Sequence, residues 1–188
     1  MPAPNRKKSV FYVALGGVFG AMSMASLLMS SVFAVMDISL AGLAGLFLLP
    51  VVLECGYKYA LCVCGVVSTL GLILCPNKEM PILFLCLLGY YPVLKIWLDK
   101  KFHRSRWLVL LRLLLANISI GIAYGTMIKI LGLNYVVEEF ANTGRGILVL
   151  LFVLTNMAIV VFDLAMEQLC VLYCNKISPK LHKTMWHS

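Results

Sequence analysis

The chain has 188 residues, of which 62% are hydrophobic and 13% charged, and its formal net charge is +8. A mean hydropathy of +0.95 excludes a water-soluble domain and predicts an all-α, polytopic membrane protein. In a soluble chain the positive charge would suggest nucleic acid, but here the basic residues gather in alternate loops, so the expected partner is the lipid bilayer and not nucleic acid.

Six apolar segments are long enough to span, given that a spanning helix needs about 20 residues and somewhat fewer where the bilayer thins. They run from Val10 to Phe33, Leu40 to Leu53, Tyr59 to Leu74, Ile82 to Leu98, Trp107 to Leu131 and Ile147 to Tyr173, the second and third only just sufficient. No internal repeat or low-complexity linker separates them, so one six-helix domain over 1–188 is predicted. Arg6, Lys7 and Lys8 precede the first run without a cleavage signature, which marks that run as a retained helix.

Arginine and lysine set the orientation. With the N-terminus inside, Arg6, Lys7, Lys8, Lys58, Lys95, Lys100, Lys101, Arg104, Arg106, Lys176, Lys180 and Lys183 all lie on or near the inner face. Only Lys78, Lys129 and Arg145 lie outside, with Arg112 inside the fifth helix. Twelve against three predicts that both termini are cytoplasmic. The turn Met36 to Ser39, the hexapeptide Pro76 to Pro81 and the segment Asn134 to Gly146 are then external. That last segment is long enough to fold over an outer cavity or to serve as a plain connector.

The first helix carries small residues at four-residue spacing, Gly16 to Gly20 and Gly17 to Ala21. Such pairs let helix backbones approach, either within the bundle or against another subunit. Ala41, Gly42, Ala44 and Gly45 repeat the theme on the second helix, as internal packing.

Charges inside apolar runs form the next group. A lone charge at the bilayer centre costs about 2.5 to 3.5 kcal/mol on insertion scales, so Lys95 and Arg112 are natural partners for Asp163 and Glu167. These four read as structural ion pairs, the alternative being a proton or cation path. Glu54 and Lys58 make a further four-apart pair.

A third group faces outward. Asn77, Lys78 and Glu79 sit on the Pro76 turn, Tyr124 lies on the outer half of the fifth helix, and Tyr90, Tyr91, Asn117 and Asn156 lie deeper. Amides and phenols at such depth can bind a polar small molecule or each other. Tyr57, Tyr59, Trp97, Trp107 and Tyr173 fit an interfacial belt.

Seven cysteines lie in or beside apolar segments with no paired CxxC or zinc spacing, and they read as packing residues. His103, His182 and His187 are in basic segments without a metal or catalytic partner, and no hydrolase, metalloprotease or phosphate-loop motif occurs. The expectation is therefore a protein that is not an enzyme, with no metal and no cofactor.

The layout, with the run from Asp37-Ile38-Ser39-Leu40-Ala41 through Pro76-Asn77-Lys78-Glu79 to Gly89-Tyr90-Tyr91-Pro92-Val93-Leu94-Lys95, resembles the substrate-binding S component of an energy-coupling factor transporter. That resemblance implies capture of a vitamin-like solute from the outer side, with Asn77, Lys78, Glu79, Tyr90, Tyr91, Tyr124 and Asn156 as candidate contacts. It also implies docking of a transmembrane coupling subunit and its ATPases on Gly16, Gly17, Gly20 and Ala21. The chain has glycines where that family usually has alanines, and it lacks the N-terminal histidine of metal carriers. The alternative is a structural membrane scaffold resembling a small cell-shape protein of the same helix count, with no solute.

Overall fold

A computed structural model describes residues 6–33, 36–101, 107–129 and 145–177. Among them the chain is helical: α1 (Arg6–Val32), α2 (Asp37–Leu46), α3 (Leu49–Cys55), α4 (Tyr57–Leu74), α5 (Glu79–Leu83), a π-helical turn (Phe84–Leu88), α6 (Tyr91–Lys101), α7 (Trp107–Lys129) and α8 (Arg145–Leu172). A second π-helical turn, Tyr173–Ile177, follows α8. The expected outer loop between Asn134 and Gly144, together with His103, Arg104, Arg106, Leu131, Lys180, His182, Lys183 and His187, lies outside the described residues.

Among the described residues, six stretches are long and apolar enough to cross a membrane: Val10–Val32, Asp37–Cys55, Tyr57–Leu74, Glu79–Asp99, Leu108–Lys129 and Gly146–Lys176. The second, expected to be short over 40–53, gains length at both ends. It is one span made of two helices, broken at Phe47–Leu48 because Pro50 in the first turn of α3 cannot continue the ladder of α2. Gly56, at φ 85°, then reverses the chain in a single residue before α4.

The fourth span bends for a related reason. A proline ring collides with the carbonyl four residues back, and Pro92 stands at the second position of α6. The chain meets this by widening its preceding turn, with the Gly89 amide donating to the Phe84 carbonyl five residues back at 2.7 Å. Pro92, Tyr91 and Phe84 are all fully buried there.

Close approach at two glycines, beside a core of larger side chains, joins this span to the second and third. A Cβ on Gly45 would stand 2.6 Å from the Leu88 carbonyl oxygen, and one on Gly89 would stand 2.5 Å from the Cys64 sulfur. Gly16 and Gly20 of α1 both pack against Val63 of α4, where a Cβ would come within 3.2 and 3.1 Å of its methyls. Ser23 Oγ donates to the Ala44 carbonyl at 2.8 Å, pinning α1 on α2. Around these contacts lies the main core of Leu27, Ala41, Leu48, Val67, Met80 and Phe84.

The bundle thus has two ends. At one, the Gly56 reversal meets the start of α1, with the Tyr12 and Tyr59 rings 5.6 Å apart and tilted by 60° and with Cys55 Sγ donating to the Tyr12 carbonyl at 3.8 Å. At the other, Cys75 Sγ donates to the Leu27 carbonyl at 3.6 Å, and Gly71, Leu27 and Pro81 touch. All seven cysteines are free thiols.

Candidate functional site

The buried charges converge on Asp163 of α8. Lys95 of α6 donates to its Oδ1 at 2.8 Å and to its main-chain carbonyl at 2.6 Å, while Arg112 of α7 donates to Oδ2 at 2.8 Å. Tyr91 completes the set, its hydroxyl donating to Oδ1 at 3.0 Å. Side-chain exposures of 6% for Lys95, 9% for Arg112 and 13% for Asp163 place all three charges inside the bundle. At such depth the pairing is obligatory, because removing any one partner strands the others away from water.

Arg112 also pairs with Asp99, which lies one turn beyond Lys95 on α6 and is 45% exposed. The guanidinium is therefore shared between a buried carboxylate and a half-exposed one. Its Nε is buried with no hydrogen-bond partner among the described residues.

These groups form one wall of a cavity of about 710 Å³ between α6, α7 and α8. Tyr91, Lys95, Asp99, Arg112, Asp163 and Glu167 supply its polar side, and Leu49, Ile96, Leu108, Leu113 and Ile159 much of its apolar side. A volume of several hundred Å³ with a few convergent polar groups is the usual form of a small-molecule site.

The outward-facing residues are placed differently. Lys78 Nζ donates to the Cys75 carbonyl at 2.6 Å and Asn77 Oδ1 accepts from the Glu79 amide at 3.0 Å, so the Pro76 turn is closed by its own side chains. Glu79 opens α5. Tyr90 shares a hydrogen bond with Ser119 of α7, and Tyr124 packs beside Ile82, Ala123 and Met127. Asn156 accepts from Asn117 Nδ2 at 2.8 Å, tying α8 to α7. Of the seven candidate solute contacts, only Tyr91 lines the cavity.

The small residues of α1 also divide. Gly16 and Gly20 are buried on α4, whereas Gly17 and Ala21 are exposed, and nothing lies within 4 Å of a Cβ placed on Gly17.

Asp99, which joins the Asp163 network through Arg112, and Ser119, which meets Tyr90 apart from that network, both escape a reading of the sequence alone. Asp99 precedes Lys100 and Lys101 and looks like the solvated end of a helix, yet its four-residue spacing from Lys95 puts both on one face and could have singled it out. Ser119 carries no such signal, since its importance comes only from Tyr90 meeting it.

Comparison with protein-family models, with curated proteins and with solved structures gives no match to this chain.

Proposed function

We propose that the protein is a solute-binding membrane subunit, without chemistry of its own, and that its ligand occupies the cavity between α6, α7 and α8. One observation carries this reading: about 710 Å³ of space is bounded by apolar walls and by a set of buried, mutually fixed charges. A purely structural ion cluster needs no adjoining space, whereas a binding site needs both the space and polar groups held rigidly beside it. Asn77 and Lys78 support outer-side capture less well, since both are engaged in closing the Pro76 turn.

In the orientation given by the basic residues, both termini are cytoplasmic and the cavity lies in the inner half of the membrane. The resemblance to S components supplies a coupling subunit and ATPases as partners. Gly17 and Ala21, being exposed, are the part of the small-residue stripe still available for docking.

The test is native mass spectrometry of the protein purified from its own membrane in mild detergent. The reading requires a co-purifying small molecule that is lost on Arg112→Lys. Recovery of an empty protein in a stable assembly with wall-synthesis proteins, and without a coupling subunit or ATPases, would replace it with the scaffold reading. That second reading has one observation in its favour: residues 149–154 of α8 are each 49% to 63% exposed, so no side of that stretch is covered by the bundle.

A further inference from the structure

We infer that the cavity takes the anionic headgroup of an amphiphile, anchored on Arg112, with its apolar chain leaving sideways between α7 and α8. This names the ligand class and rests on the reading of the cavity as a binding site.

The first support is the shape of the opening. Val109 of α7 and Leu164 of α8 line the cavity, yet they are 46% and 56% exposed on the apolar surface of a membrane-spanning bundle. The cavity is thus continuous with the surface that faces acyl chains. A ligand entering there keeps its apolar part in an apolar medium throughout and must desolvate only its polar end.

The second is an unused donor. Arg112 is 9% exposed, spends its two terminal nitrogens on Asp163 and Asp99, and has a buried Nε without a partner among the described residues. A guanidinium binds a carboxylate or phosphate best through two parallel N–H groups, and Nε with one terminal nitrogen forms such an edge.

The third is the inequality of the two carboxylates. Asp163 is buried and accepts from Lys95, Arg112 and Tyr91, so it is fixed. Asp99 is 45% exposed and can turn toward water, releasing the edge of Arg112. The three charges inside the bundle, Lys95, Arg112 and Asp163, then sum to one positive charge, which a single negative charge neutralises, whereas the carboxylates of Asp99 and Glu167 on the same wall are exposed and partly screened by water. Glu167 on the same wall is exposed and disfavours a second negative charge. A carboxylate or a phosphodiester fits better than a phosphate monoester, whether it belongs to a fatty acid or to an anionic lipid.

The experiment titrates the detergent-purified full chain with cis-parinaric acid, read by fluorescence, and with lysophosphatidylglycerol and lysophosphatidylcholine as competitors. Butyrate and inorganic phosphate are titrated separately by calorimetry. Parinarate is expected to bind and to be displaced by lysophosphatidylglycerol but not by lysophosphatidylcholine. Asp99→Asn is expected to tighten binding severalfold by removing the competing carboxylate. Arg112→Lys, which keeps the charge but loses the paired donors, is expected to weaken it about tenfold, the equivalent of one charged hydrogen bond.

The double variant Val109→Trp with Leu164→Trp narrows the opening without touching a charge, and should weaken parinarate while leaving the melting temperature unchanged. Equal parinarate affinity in all variants would mean partition into detergent and overturn the inference. Butyrate or phosphate binding that follows Asp99 and Arg112, with no parinarate binding, would keep the cavity as a solute site and overturn the amphiphile. Absence of binding by every probe would overturn the anionic ligand, leaving the solute reading to the co-purified molecule.

Discussion

The fourth and sixth spans are both apolar, yet they are held in opposite ways. In the span Glu79–Asp99, 56% of the most apolar stretch is buried, against 6% in Gly146–Lys176. The former is locked by contacts so close that Gly45 and Gly89 have no room for a methyl group. The latter touches the bundle along a narrow line, with Ile159, Phe162 and Met166 in a small core and polar fastening by Asp163 on Lys95 and Arg112 and by Asn156 on Asn117. In lipid neither arrangement gains much from hiding apolar surface, so backbone approach and polar fastening are the two means of joining helices. The first makes a rigid scaffold and the second leaves space beside it, which is where the cavity lies.

The comparison is most sharply tested at Asp163. Asp163→Ala strands Lys95 and Arg112 without a shared counter-ion, and a loss of about 3 to 5 kcal/mol is expected from the breaking of a buried pair. Reversible unfolding by sodium dodecyl sulfate titration would measure it. A loss as small as that of a surface substitution would mean that charge does not fasten α8.

Next comes the close-packed region. Gly45→Ala forces a methyl group against the Leu88 carbonyl and should cost about 1 to 3 kcal/mol, as overpacking does. An unchanged melting temperature for this variant would show that α2 and the π-helical turn can separate freely.

A smaller effect is expected from Asn117→Leu, which removes one interhelical hydrogen bond worth about 0.6 kcal/mol on average between membrane helices. Its signature is local: cross-linking between cysteines placed on the facing turns of α7 and α8 should fall while the rest of the bundle is unaltered.

Smallest of all should be Gly17→Ala on the exposed side of α1, within about 0.5 kcal/mol of the parent for the isolated chain. Coupled with Gly16→Leu, which should destabilise by collision with Val63, it separates the two sides of one helix. Equal effects at Gly16 and Gly17 would contradict the division.

Much of this was legible in the residues. Six apolar runs have to become helices because lipid offers no partner for a free backbone group, and their ends were placed within a few residues. The cost of an isolated charge in the membrane marks Lys95, Arg112, Asp163 and Glu167 as expected ion-pair partners, and the structure joins Lys95 and Arg112 to Asp163, with Glu167 on the same cavity wall. The partnership of Tyr91 did not follow. Tyr90 and Tyr91 look alike in sequence, but the widened turn before Pro92 sends one hydroxyl to Ser119 and the other to Asp163.

The number of spans, the residues too polar to face lipid and the small-residue stripes can all be read along the chain, because each is a property of composition along a single helix. Tertiary structure alone decided that Gly16 and Gly20 face Val63 while Gly17 and Ala21 face outward, that Asp99 shares Arg112, and that space lies beside Asp163. Those outcomes depend on the rotation and separation of whole helices, and in a bilayer they are set by a few contacts at the crossings, not by the apolar pattern that all six spans share.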